Sequence, residues 1–287
     1  MRKYNSRSRA PIRRKSQNKS SLFGKLMRYS IIALTIALFF GLIYHYREGL
    51  KYYLGYKSLK KMTPEQVEAK RISDVRNFQV LENHKGKAIG LDVSEFQGNI
   101  DWRLVKNIEN QYPLEFVFIR ATAGNDREDG QFAANWLGAK ENKMIRGAYH
   151  YYRPNENSLE QAQLFIKTVQ LKKGDLPPVL DIEKLPNEQS LKNMKLGLSR
   201  WLKAIEAHYK VKPIIYTSEK YYDDFLKDEF GDYLFWIANY NFYKEKIGAN
   251  WLFWQFTEKA TVQGIKGNVD VNIYNGDLEQ LRFITIE

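Results

Sequence analysis

The chain has 287 residues, 44% hydrophobic and 14% aromatic, enough for one large domain with a full core, so disorder throughout is excluded. Its formal charge of +12 is unevenly placed: of 45 Lys/Arg and 33 Asp/Glu, ten bases and no acid fall in 1–28, and ten bases and five acids in 47–87, which leaves 25 against 28 for 88–287. The main domain is therefore slightly acidic, which disfavours nucleic acid as a partner, and the lack of cysteine removes disulfides and thiolate chemistry.

Residues 1–28, rich in Arg, Lys, Ser and Asn, read as a disordered basic tail. Between Arg28 and Arg47 follows the uncharged run YSIIALTIALFFGLIYHY (29–46), whose eighteen residues rise about 27 Å as a helix, close to the hydrocarbon thickness of a bilayer. Bulky Tyr44, His45, Tyr46 and Arg47, rather than small residues, follow its apolar part, which favours an uncleaved transmembrane anchor over a signal peptide. The bases ahead of the span predict a cytoplasmic N-terminus and a main domain on the periplasmic or extracellular side, with Tyr29, Tyr44 and Tyr46 at the interfaces. Residues 47–87 are charged and helical in pattern, with Pro64 after Thr63 suiting a helix start, and read as a solvated stalk.

From residue 88 onward short apolar runs alternate with amphipathic segments, the pattern of repeated strand–helix units. Strands are expected at Ala88–Val93, Phe116–Ala121, Ile145–Tyr152, Val179–Glu183, Pro213–Thr217, Leu234–Asn239, Leu252–Phe256 and Val269–Ile273. Helices are expected at Trp102–Gln111, Gln131–Lys143, Ser158–Gln170, Ser190–Tyr209 and Glu219–Phe230. The reading is an α/β fold: an irregular TIM-like (β/α) barrel of eight strands and about five helices over 88–287, preceded by a single transmembrane helix. Connections after the sixth strand are too short for helices, and a doubly wound sheet lacks its Gly-rich phosphate loop after the first strand.

Strand ends that carry acids mark the candidate site. Val179-Leu180-Asp181-Ile182-Glu183 places two carboxylates at i and i+2, on one side of an extended chain, where close like charges raise at least one pKa and let a proton donor stand beside an ionised partner. Asp92 ends the first strand and Asp270 begins the last. Tyr149, His150, Tyr151, Tyr216, Trp236, Asn239, Tyr240, Trp254 and Gln255 fall at the same ends, and acids among exposed rings suit a sugar, which offers a CH face to a ring and hydroxyls to carboxylates and amides. His150 is expected to hydrogen-bond within the barrel mouth. Two histidines in the domain, His150 and His208, are too few for a clustered metal site, so no metal and no cofactor is expected.

The ordered segments GLDVSEFQGNIDW, FVFIRATAG, GAYHYYRP, PPVLDIE, PIIYTS, FWIANY, WLFWQFT and VDVNIYNG resemble those of the glycoside hydrolase family 25 muramidases over roughly residues 88–280. The resemblance implies an irregular eight-stranded barrel that cuts the β-1,4 bond between N-acetylmuramic acid and N-acetylglucosamine, with peptidoglycan glycan strands as partner. It makes Glu183 the general acid, Asp181 its partner, Asp92 and Asp270 further acids, Tyr216 a contact of the substrate's N-acetyl group and Trp254 a lining of the groove. Tyr149, Tyr151, Trp236 and Asn239 complete the expected substrate-binding set. Two positions depart from the family pattern: Ala123 stands where ATEG has its acid, and Glu95 follows Ser94 where His or a small residue is common. The rival class is a membrane-anchored peptidoglycan-binding module with weak turnover, which loss of Glu183 would have favoured.

Overall fold

The computed structural model describes residues 22–45 and 63–287 other than 110, in two units divided after residue 62. Most of the basic tail, and the linking residues 46–62, lie outside the described residues.

The first unit contributes one helix, α1 (Leu22–His45), whose described Leu, Ile and Phe side chains are exposed. Among the described residues no helix is long and apolar enough to cross a membrane. In α1 the side chains described without a break are those of 26–42, so the anchor expected over 29–46 is not shown.

The second unit is a closed barrel. Its wall runs β1 (Ile89–Val93), β4 (Phe116–Ala123), β6 (Ile145–Tyr151), β7 (Val179–Asp181), β8 (Ile214–Ser218), β9 (Leu234–Ala238), β10 (Phe253–Ala260), β11 (Val269–Tyr274) and back to β1. All eight expected strands are present. Neighbours from β1 through β10 are parallel, whereas β11 is antiparallel to both β10 and β1. The eight residues between β10 and β11 are too few for a crossover, so the chain turns straight back. Reversal brings the start of β11 to the rim where the other strands end, which is why Asp270 joins a site built from strand C-termini.

The outer layer holds α3 (Phe132–Glu141), α4 (Ser158–Thr168), α5 (Leu191–Tyr209), a short α6 (Glu219–Tyr221) that widens into a π-turn at Tyr222–Leu226, and α7 (Leu278–Phe283). The expected helix over Trp102–Gln111 is instead a single 3-10 turn at Trp102–Leu104 followed by a hairpin of β2 (Asn107–Ile108) and β3 (Tyr112–Pro113). Asp101 caps that turn, but Asn107, Ile108 and Tyr112 add no helix-forming run behind it. A two-residue β5 (Arg127–Glu128) pairs with the end of β4.

Strand alternation sorts the core into two faces. Phe116, Phe118, Val179, Ile214, Trp236 and Phe253 fill the barrel interior, while Leu91, Ile119, Leu180, Ile215, Ile237 and Trp254 face the helices. The interior is ring on ring: Phe118 stacks on Trp236 with centroids 4.5 Å apart, and Phe116 and Phe118 both abut Phe253. Room for those rings comes from Gly90 and Gly147, where an added Cβ would lie 2.4 Å and 2.5 Å from the rings of Phe116 and Phe118. This aromatic plug forms the floor beneath the polar rim.

The helix α2 (Pro64–Asn83) starts at a capping box on Thr63, with the hydroxyl accepting from the Gln66 N–H and the Gln66 side chain accepting from the Thr63 N–H. It belongs to the barrel unit and is not a solvated stalk. Arg76, Asn77, Val80, Leu81 and, just past the helix, His84 recur at three- and four-residue spacing and are buried against β10 and the β9–β10 loop.

Candidate active site

At the C-terminal rim of the barrel, residues of all eight wall strands converge on a cleft of about 250 Å³, which holds Asp92, Asp181, Glu183 and Asp270 together with Tyr149, Tyr151, Tyr216 and Trp236. Volume alone would not select it: a depression of about 750 Å³ beside Trp136 is larger, but its buried acid, Asp129, already pairs with Arg120. All four expected acids are thus brought together.

Asp181 ends β7 and is 4% exposed, with Leu180 and Ile182 on either side facing the helix layer. Glu183 follows just past the strand on the same side and is exposed at the rim. Burial, first, then the charge of the neighbouring Glu183 hold Asp181 far above the usual carboxylate range. Burial also raises Glu183, even at the rim, because cleft walls surround its carboxyl. Such a pair holds a proton more tightly than a lone exposed carboxyl does. Asp181 Oδ1 has no hydrogen-bond partner within the protein, so it is free to accept one from a bound molecule.

Asp92 lies directly across the β1–β11 ladder from Asp270. Its Oδ2 accepts from Gln255 Nε2 at 2.7 Å and Asn272 Nδ2 at 2.8 Å. Burial pushes Asp92 up to about 6 against those two amide donors. Asp270 is pushed up to about 9, by burial and then by the charges of Asp92, Glu258 and Glu183. The amide donors thus favour the ionised form at Asp92, and Asp270, without them, holds its proton more tightly.

A polar chain fixes these groups from behind. Gln255 Oε1 accepts from the hydroxyls of Tyr216, at 2.7 Å, and Tyr240, and Asn272 Oδ1 accepts from Trp236 Nε1 at 2.8 Å. Tyr216 sits opposite Asp181 on the neighbouring strand. With their protons given to Gln255, both tyrosine oxygens keep lone pairs for a ligand.

Three expected positions move. Trp254 does not line the groove: it is 0% exposed in the outer layer, its ring edge-on to His84 and its Nε1 donating to the Asn239 carbonyl at 2.9 Å. Its neighbour Gln255 has the inward parity, and a one-residue offset along a strand changes face. Asn239 turns to Glu219 and to the Asn241 N–H, away from the cleft. His150 likewise points out of the barrel, between Thr122 Oγ1 and Gln161 Oε1 and stacked on Trp201, where burial lowers its pKa to about 4.

Residues not assigned from sequence are Arg120, Phe96, Gln97, Ser94 and Glu258, all of which line the cleft. Phe96 is 73% exposed, with the Arg120 guanidinium 4.7 Å from its ring centre. Glu95, one of the two departures, pairs with Arg120 at 2.9 Å and with Arg127, while Ala123, the other, faces Arg127 across β4–β5. Arg120 was findable, because it shares the parity of Phe116 and Phe118.

The sequence signature described as "Glycosyl hydrolases family 25" matches residues 91–265. The uncharacterized protein YegX of Escherichia coli K12 is 40% identical over 195 residues, covering 67% of this chain and 71% of that one. Lysozyme M1 of Streptomyces globisporus is 32% identical over 207 residues, covering 67% and 69%. Among solved structures, a family 25 glycosyl hydrolase from Bacillus anthracis superposes with a TM-score of 0.62 at 29% identity, covering 70% of this chain and 94% of that one. The bacterial lysozyme of Streptomyces coelicolor superposes with a TM-score of 0.62 at 28% identity, covering 70% and 98%.

Proposed function

Because the chain belongs to glycosyl hydrolase family 25, a family of lysozymes and muramidases, we propose that it hydrolyses the β-1,4 bond between N-acetylmuramic acid and N-acetylglucosamine in peptidoglycan, with Glu183 as proton donor. The observation that carries the assignment of roles is the pair of carboxyls in one cleft, Asp181 buried and Glu183 at the rim, both raised by burial.

Both carboxyls reach the sugar from one side, so neither the 5–5.5 Å nucleophile geometry nor the roughly 6.5–9.5 Å water-accommodating geometry across the bond suits them. A substrate-assisted route does. The N-acetyl N–H donates to the free Oδ1 of Asp181, which favours ionised Asp181 and moves the shared proton to Glu183. Glu183 protonates the glycosidic oxygen as the N-acetyl carbonyl oxygen attacks the anomeric carbon and the leaving sugar departs. Asp181 steadies the positive charge on the cyclised amide. Water, deprotonated by the Glu183 carboxylate, then opens the ring with net retention. Were water instead to attack directly, the base would be Asp92 or Asp270, with the amide donors on Asp92 favouring its ionised form.

Proton NMR of the first-formed product tests the route: the β-anomer is expected, with inhibition by a thiazoline mimic of the cyclised intermediate. The α-anomer as first product would overturn it.

The segment 29–46 is proposed as a membrane anchor that places the barrel outside the cytoplasm. Supporting it are the eighteen uncharged residues between Arg28 and Arg47, the helix covering them as far as His45, and the exposure of Ile32, Leu34, Phe39 and Phe40.

A further inference from the structure

Arg76 is 7% exposed on the face of α2 that packs on β10, and its guanidinium serves backbone rather than a carboxylate. Nη1 donates to the Phe256 carbonyl at 2.6 Å and Nη2 to the Asn241 carbonyl at 3.0 Å. Burial lowers its pKa, so a desolvated cation is held where an apolar side chain would cover the same face at less cost. What distinguishes the position is the pair of carbonyls it reaches.

Phe256 lies at an irregularity in the sheet. Along β10 the pairing with β11 steps from Gln255↔Asn272 to Thr257↔Val271, so Phe256 is the extra residue of a bulge. The bulge directly follows Gln255, which reaches Asp92, and precedes Glu258 at the cleft. Asn241 directly follows Tyr240, whose hydroxyl meets Gln255. One guanidinium outside the barrel therefore touches the backbone next to both side chains that meet inside it.

We propose that Arg76 is a positioning residue for catalysis: it clamps the β10 bulge to the β9–β10 loop and so holds Gln255 and Tyr240 in register with Asp92. This rests on reading the cleft as the active site. It gives α2, which lies N-terminal to the matched residues 91–265, a part in the reaction. His84, whose ring accepts from the Ile247 N–H at 3.2 Å, secures the far end of the same loop.

The test compares the full-length chain, purified in detergent, with Arg76→Met and Arg76→Lys. Backbone hydrogen exchange is followed over 239–258, and kcat and KM are measured on soluble glycan-strand fragments. In Arg76→Met, exchange over 239–258 should speed by roughly tenfold while β4, β6 and β7 stay unchanged, and kcat should fall roughly tenfold with KM within about twofold. Arg76→Lys, whose ammonium can still reach one carbonyl, should recover part of both effects. Unchanged exchange over 239–258 in Arg76→Met overturns the clamp whatever the activity, and a raised KM with intact kcat overturns its catalytic role. If the unaltered chain releases no sugar from peptidoglycan, the functional reading fails instead, and exchange still decides the clamp.

Discussion

At the scale of single residues, the site works by separating acids that share one cleft. Asp181 is buried and unsatisfied at Oδ1, Glu183 is open to the rim, Asp92 has two amide donors, and Asp270 faces three carboxylates that no hydrogen-bond donor among the described residues offsets. If Glu183 only transfers a proton while the tyrosines and Trp236 grip sugar, Glu183→Gln should slow hydrolysis by a factor on the order of 10² or more yet still sediment with peptidoglycan. Loss of binding together with activity would make Glu183 structural. Asp270 yields a stability prediction of definite sign. Its folded pKa, about 9, lies above the ordinary 3.8, so the folded chain holds this proton more tightly than the unfolded one. The stabilisation is complete below about pH 4 and is lost as pH rises through 9. Asp270→Asn should therefore raise the melting temperature progressively over that window, by about 2–4 °C for each kcal/mol of relief, and a gain that shrinks with pH would contradict the assignment.

At the scale of elements, α2 decides what counts as the domain. Val80 and Leu81 are buried against the barrel, each contributing about 1.5–3 kcal/mol, and Arg76 adds two hydrogen bonds. A fragment of 63–287 should fold, whereas 88–287, the boundary suggested by where strand–helix alternation begins, should melt at least about 6 °C lower and bind a hydrophobic dye at the uncovered Trp254 and Phe256. Equal melting of the two fragments would show that α2 adds nothing. The strands were legible because their apolar runs are short and regularly spaced, and the acids because they end those runs. Parity was the weak point. Assigning Trp254 and His150 to the rim by position overlooked that their neighbours Gln255 and Tyr149 carry the inward face. The packing of α2 was illegible for another reason: its buried face includes Arg76 and His84, residues that read as solvated until the Phe256 and Asn241 carbonyls and the Ile247 N–H, far along the chain, are known as their partners. The hairpin at 107–113 was not legible because its strands are only two residues long, too short for a period-2 pattern.

At the scale of the whole molecule, the basic residues cluster at the N-terminus and the catalytic unit is slightly acidic, which suits a tethered enzyme acting on a polymer within its reach. A reporter active only outside the cytoplasm should work when fused after Glu287 and fail when fused before Met1, and the opposite pattern would overturn the proposed orientation. The resemblance read from eight ordered segments and the family signature agree, and the barrel rim brings the four acids into one cleft. The identity of the bond that is cut is the most direct test of the proposed reaction. Purified peptidoglycan incubated with the full-length chain and analysed by mass spectrometry should release fragments ending in reducing N-acetylmuramic acid, at a rate that collapses with Glu183→Gln; fragments ending in reducing N-acetylglucosamine, or release unaffected by that substitution, would contradict it.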